Sequence, residues 1–176
     1  MSTGMAHQVQ DGVAARQPSG LPWLPVTVVV IALDQIVKLW IVTHLALYGT
    51  VRLLPVLDLT LTYNRGAAFS FLAGASGWQK WLFAGLAVVV AAGIVYWLRR
   101  LNGRTQKLLC LSLTLIMGGA LGNLIDRLRI GHVVDFILAH WHGLYFPWAF
   151  NIADSAITVG ATLLAIDAWL ESRGPK

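Results

Sequence analysis

Residues 81–98 read WLFAGLAVVVAAGIVYWL and residues 108–125 read LLCLSLTLIMGGALGNLI; neither stretch carries a charged side chain. Roughly 20 mostly apolar residues are needed to cross the hydrocarbon core of a bilayer, so each stretch reads as a membrane span. Two weaker spans flank them. One covers about residues 23–42 and contains Asp34 and Lys38; the other covers about 152–170 and contains Asp154 and Asp167. Charge inside a span is costly and tends to mark function. The expected fold is an all-α polytopic membrane protein, with four transmembrane helices, a small extracytoplasmic β-sheet and a loop.

Composition points the same way. The 176 residues are 57% hydrophobic and only 12% charged, against about a quarter charged in an ordinary soluble domain. The net charge is +5, but the basic residues sit between apolar runs and form no stripe, which argues against nucleic acid as a partner. The single cysteine, Cys110, lies in an apolar run and permits neither a disulfide framework nor a cysteine-rich metal site. Residues 1–22 are polar and do not read as a cleavable signal; they are expected to be a cytoplasmic tail, as are residues 171–176, around one unit at 23–170.

The short loop between the two central spans holds Arg99, Arg100, Arg104 and Lys107, which places it in the cytoplasm by the positive-inside rule. Four spans then put both termini inside, with Arg16 at one end and Arg173 and Lys176 at the other. All eight tryptophans are compatible with the interfacial belts on this topology. Gly118 and Gly122 make a GxxxG step in the third span, and Ala156 and Gly160 repeat small-xxx-small spacing in the fourth; both suit close helix packing, although such spacing also arises by chance.

Two segments, about 43–77 and about 128–151, fall outside. In the first, Leu57, Leu59, Leu61 and Tyr63 alternate with Asp58, Thr60 and Thr62, a strand period of two, and Phe69, Ser70, Phe71 resumes it after Asn64, Arg65, Gly66. A surface sheet could hold an extended peptide along its edge, or could simply cap the helix ends. Acids and amides cluster where the third span ends and the fourth begins: Asn123, Asp126 and Arg127, then Asp135, then Asn151 and Asp154.

Asp135 and Asp154 share one depth, the outer interface. Two carboxylates brought close cannot both ionise cheaply, so one is charged while the other keeps its proton. That is the requirement for splitting a peptide bond with water, and it needs no metal or cofactor. Plainer roles are also open. Asn151 and Asp154 fit a helix cap with an acid in the first turn. Asp34 and Lys38, at i and i+4, can neutralise each other, and Asp126 with Arg127 could be an interfacial charge pair. Acids in spans also serve transport, which would recruit Asp34, Asp154 and Asp167, and a membrane scaffold would use none of them. Ser76, in Gly74-Ala75-Ser76-Gly77, only superficially matches a serine-peptidase motif. His132, His140 and His142 sit among Trp141, Tyr145 and Trp148, which reads as an interfacial loop and not as metal ligands.

Five stretches together resemble signal peptidase II, the bacterial prolipoprotein signal peptidase family. They are Asp34-Gln35-Ile36-Val37-Lys38, Asn64-Arg65-Gly66-Ala67-Ala68-Phe69, Gly122-Asn123-Leu124-Ile125-Asp126-Arg127, Val134-Asp135-Phe136 and Phe150-Asn151-Ile152-Ala153-Asp154-Ser155. The resemblance spans about residues 22–170 in the family's order. It implies an aspartic endopeptidase of the bacterial inner membrane with its active site on the periplasmic face. The implied substrate is a prolipoprotein whose cysteine already carries diacylglycerol, cut just before that cysteine, with membrane lipid as the other partner and a monomer as the acting form. Asp135 and Asp154 match the catalytic pair. Asn64, Gly66, Asn123, Asp126, Arg127 and Asn151 match positions that bind substrate or support the site, and Asp34 and Lys38 match a supporting motif.

Overall fold

The structure, a computed structural model, describes residues 18–66, 77–142 and 144–174. Four helices dominate it: α1 (Leu24–His44), α2 (Gln79–Leu98), α3 (Lys107–Ile130) and α4 (Ile152–Ser172). All four are long and apolar enough to cross a membrane. A short 3-10 turn, Leu21–Trp23, leads into α1, whose first turn holds Pro25 where no backbone donor is missed. The third helix reaches Ile130, past the end expected at Ile125, so Asp126 and Arg127 are helical. It stops at Gly131, which adopts φ 80° and returns its N–H to the Arg127 carbonyl. Glycine accepts that left-handed conformation without a Cβ penalty.

The centre of the bundle is α3, which packs on α1, α2 and α4. Small residues set these approaches. A Cβ on Gly118 would lie 2.7 Å from the Val30 side chain of α1, and one on Gly119 would fall on the Ala153 carbonyl of α4. Gly122 sits between the two neighbours, near Asp34 and Ala153, while Gly160 of α4 faces the Ser112 carbonyl. Gly118 and Gly122 of the first small-residue step and Gly160 of the second therefore lie at helix contacts, and Ala156 is buried. An apolar cluster of Ile94, Leu98, Leu109, Leu113 and Met117 joins α2 to α3.

The sheet has four antiparallel strands in the order β1 (Thr50–Leu54), β2 (Leu57–Asn64), β3 (Val133–Trp141), β4 (Leu144–Tyr145). An all-α description therefore fits the helical part only. Leu61, Val134 and Phe136 dock the sheet on Ile41 near the end of α1. Strand β2 matches the alternating stretch, but its polar side is not free: Asp58 and Thr60 are buried as well. Residues 133–141, read from sequence as part of an outer loop, form the partner strand β3, with Thr62 opposite Asp135. The resumed alternation at Phe69, Ser70, Phe71, the Ser76 motif, and Ala67 and Ala68 lie outside the described residues, as do Arg16 and Lys176.

Candidate active site

Asp135 is carried by β3 and Asp154 by the first turn of α4, and both line one cavity of about 610 Å³. Neither element alone brings them together. What does is Asn151, fully buried at the N-cap of α4. Its side-chain oxygen accepts the Asp154 N–H at 2.8 Å, and the Asp154 carboxylate accepts the Asn151 N–H at 3.2 Å, a complete capping box. The same Asn151 amide donates to Asp135 Oδ1 at 2.7 Å. One residue thus caps a helix and ties its acid to the acid of the neighbouring strand.

Two more amides complete the frame. Asn64, at the end of β2, donates to Asp135 Oδ2 at 3.1 Å, and its own oxygen accepts the Gly66 N–H at 2.9 Å. Asn123 of α3 donates to Asp154 Oδ1 at 2.8 Å. Each carboxylate is fixed by donors and left facing the cavity, which Asn64, Asn123 and Arg127 also line. The Arg127 guanidinium donates to the Gly66 carbonyl at 2.9 Å and lies over the Phe83 ring at 5.1 Å. Its buried Nε has no hydrogen-bond partner among the described residues.

Electrostatics favour a shared proton. Asp135 is 2% exposed, and burial, reinforced by the charge of Asp154, pushes its carboxyl from the ordinary range up to about 7. Hydrogen bonds from Asn64 and Asn151, and the charge of Lys38, pull in the opposite direction without cancelling the rise. A carboxylic acid that still holds its proton near neutrality, next to a second carboxylate, can act as donor and acceptor by turns.

Asp34, Lys38 and Asp126 do not line this cavity. They form a buried ion cluster behind it: Lys38 Nζ lies 2.7 Å from Asp34 and 2.8 Å from Asp126. The i, i+4 pairing of Asp34 with Lys38 holds, while Asp126 turns to Lys38 and not to Arg127, its neighbour in sequence, because successive helical residues point apart. Asp34 also accepts the Ala153 N–H and Asp126 the Val134 N–H, so the cluster grips the start of α4 and of β3. Gln35 joins it, donating to Asp126 at 2.9 Å; an amide beside a buried acid within a span was the signal for it. The histidines do not share a loop. His140 is buried in β3 against Asp58, His132 packs at a tilt against the Tyr63 ring, and His142 follows β3 in a turn at φ 47°. No grouping of ligands that could hold a metal occurs among the described residues.

The family model of signal peptidase (SPase) II matches residues 26–170. A lipoprotein signal peptidase of Pseudomonas aeruginosa is 55% identical over 148 residues, covering 84% of this chain and 87% of the relative. One of Pseudomonas fluorescens is 52% identical over 155 residues, covering 88% and 91%. A bacterial membrane enzyme solved by the in meso method at 2.3 Å has the same fold, with a TM-score of 0.80 at 30% identity over 92% of this chain and 95% of that one. A second, solved at 1.9 Å, has a TM-score of 0.72 at 31% identity over 86% and 94%. Four apolar helices, with one carboxylate from α4 and one from β3 lining a single cavity, together with these matches, define a membrane aspartic endopeptidase. The chain belongs to the signal peptidase II family.

Proposed function

We propose that Asp135 and Asp154 are the catalytic dyad with which this chain removes the signal peptide of prolipoproteins. The observation that carries the reading is that both carboxylates line one cavity, each oriented by buried amides; burial beside Asp154 raises the Asp135 carboxyl to about 7, which suits a pair that shares one proton. The charged member takes a proton from a water molecule, whose oxygen adds to the scissile carbonyl carbon. The protonated member donates to the carbonyl oxygen. Proton transfer to the nitrogen then lets the C–N bond break, leaving a carboxylic acid on the signal peptide and a free amine on the cysteine. The two carboxylates titrate as a unit, so neither is assigned a fixed role. Arg127, or the amides beside it, polarises the scissile carbonyl or holds headgroup oxygens.

The substrate is a precursor whose cysteine already carries diacylglycerol, cut just before that cysteine. Two acyl chains hold a molecule in the bilayer far more firmly than one, at about 0.8 kcal/mol per buried methylene. The scissile bond then waits at the interface, and an enzyme with its acids at that depth need not extract the lipid. The apolar wall of the cavity, including Phe146, Trp148 and Ile157, suits a substrate that keeps its lipid attached. The proposed setting is the bacterial inner membrane, with both tails in the cytoplasm, the unit 23–170 acting as a monomer among membrane lipids, and the cavity and sheet on the periplasmic side. Mass spectrometry of a diacylglyceryl prolipoprotein after incubation with the purified chain tests this. A lipidated N-terminal cysteine, with the unlipidated precursor left intact, is the expected result; a cut elsewhere, or equal cutting of both precursors, overturns it.

A further inference from the structure

The sheet buries a cluster of ionisable groups that the reaction above does not use. Asp58 of β2, 4% exposed, accepts at Oδ2 from the Tyr145 hydroxyl at 3.2 Å, and its Oδ1 lies 3.2 Å from His140 Nε2. His140 and Tyr145 are paired across β3 and β4, with ring centroids 5.0 Å apart. The carboxylate therefore grips both sides of the β3–β4 hairpin from the neighbouring strand.

The chain beyond the hairpin gives this cluster its use. Strand β4 is only Leu144–Tyr145, too short to hold its place by pairing alone. An arch then leads from β4 to α4. At its start the Phe146 N–H donates to the Ala139 carbonyl; at its end Phe150 exchanges backbone hydrogen bonds with Ile137. Between these points Phe146 and Trp148, in edge contact at 5.6 Å, line the cavity that holds Asp135 and Asp154. The far end is pinned by three backbone bonds to Phe136 and Ile137, whereas the near end relies on a two-residue strand, the single Phe146–Ala139 backbone bond and the Asp58 grip.

We propose that Asp58 is a positioning residue which, through Tyr145 and His140, sets the wall of Phe146 and Trp148 against which the lipid-bearing end of the substrate packs. This rests on the proposed function. Asp58 touches no reacting atom, so its loss widens the cavity's apolar wall and weakens substrate binding while the dyad stays assembled. A carboxylate buried on the polar side of a strand also needs such partners to offset its desolvation.

The test compares Tyr145→Phe, Asp58→Ala and the double variant with wild type, using a synthetic diacylglyceryl prolipoprotein. Tyr145 is more than half exposed, so Tyr145→Phe removes one hydroxyl and leaves the ring against His140. The expected result is a KM raised roughly 3- to 10-fold, as for loss of one hydrogen bond to a charged acceptor at a partly exposed site, with kcat kept within about two-fold. Asp58→Ala raises KM at least as much, and adding Tyr145→Phe to it changes nothing further. An unchanged KM in both single variants overturns the proposal, as does a fall confined to kcat. Hydrogen exchange at the Phe146 amide gives a reading that needs no turnover: it accelerates several-fold in Tyr145→Phe, and an unaltered rate overturns the proposal. If wild type fails to cleave while that amide accelerates, the substrate reading fails and the clasp stands.

Discussion

Lys38 Nζ donates to Asn123 Oδ1 at 3.0 Å, and this bond decides which way the Asn123 amide faces. With its oxygen taken by Lys38 and by Asn151, Asn123 can present only its NH2 group to Asp154. A buried cation on α1 thereby orients a carboxylate on α4, and through Asn151 the same network reaches Asp135 on β3. The ion cluster behind the cavity is thus mechanically part of the site although it lines no part of it.

Replacing Lys38 with Gln tests that network. It strands Asp34 and Asp126 as buried charges without their cation, a loss of about 3–5 kcal/mol in stability. It also removes a positive charge that holds down the Asp135 carboxyl. The alkaline limb of the cleavage profile, expected in wild type where this carboxyl gives up its proton at about 7, therefore moves upward. Rates of the surviving enzyme measured across pH check this, and a limb that stays in place contradicts it.

The raised Asp135 carboxyl has a sign that thermal unfolding can read. The folded state holds this proton up to about pH 7, while the unfolded chain releases it near 3.8. Asp135 therefore stabilises the fold most fully below about pH 4, progressively less as pH rises, and no longer above about 7. Subtracting the melting curve of Asp135→Asn from that of wild type, pH by pH, isolates the contribution, which declines between these limits.

Asn151 carries two separable duties. Asn151→Ala removes the α4 cap, about 1 kcal/mol, and leaves Asp135 without its shortest donor, about 1–3 kcal/mol more. Asn151→Ser restores a capping oxygen but no NH2 donor. Melting temperature recovers in the serine variant by the capping part alone, while the cleavage rate does not recover, and full recovery of both would remove the second duty.

Arg127 donates to the Gly66 carbonyl and leaves Nε unpaired beside the cavity, among the described residues. Arg127→Ala is expected to lower kcat on the order of 100-fold, the scale seen when one donor to a developing oxyanion is lost. Arg127→Lys keeps the charge without the fork and recovers little of the rate. Steady-state kinetics of the two variants give the answer, and a rate unchanged in Arg127→Ala contradicts the assignment.

Much of this was legible in sequence because it arises from chemistry that repeats along the chain. Uncharged runs of helix length show the two strongest helices, and period-two alternation shows β2. The spacing of Asp34 and Lys38 shows their pair. Long-range pairing was harder to read. Val133–Trp141 contains an apolar run with Asp135 inside it and lacks the alternation that marks a half-buried strand, since β3 is covered on both sides over residues 133–136. Asp126 paired with a lysine 88 positions away, from Lys38 to Asp126, and not with its sequence neighbour Arg127. The hold of Asp58 on His140 and Tyr145 likewise depends on which strands are neighbours, a choice made by the bundle that the sheet docks on. Asn151 could be read as a cap, but its bond to Asp135 could not, because one amide serves two elements only once both are in place.

The central claim is that Asp135 and Asp154 work as one catalytic unit, and cleavage of a diacylglyceryl prolipoprotein by wild type, Asp135→Asn and Asp154→Asn in detergent tests it most directly. Wild type should convert the precursor, and both variants, with melting temperatures showing that they fold, should leave it uncut. Conversion by either folded variant would contradict a two-aspartate mechanism.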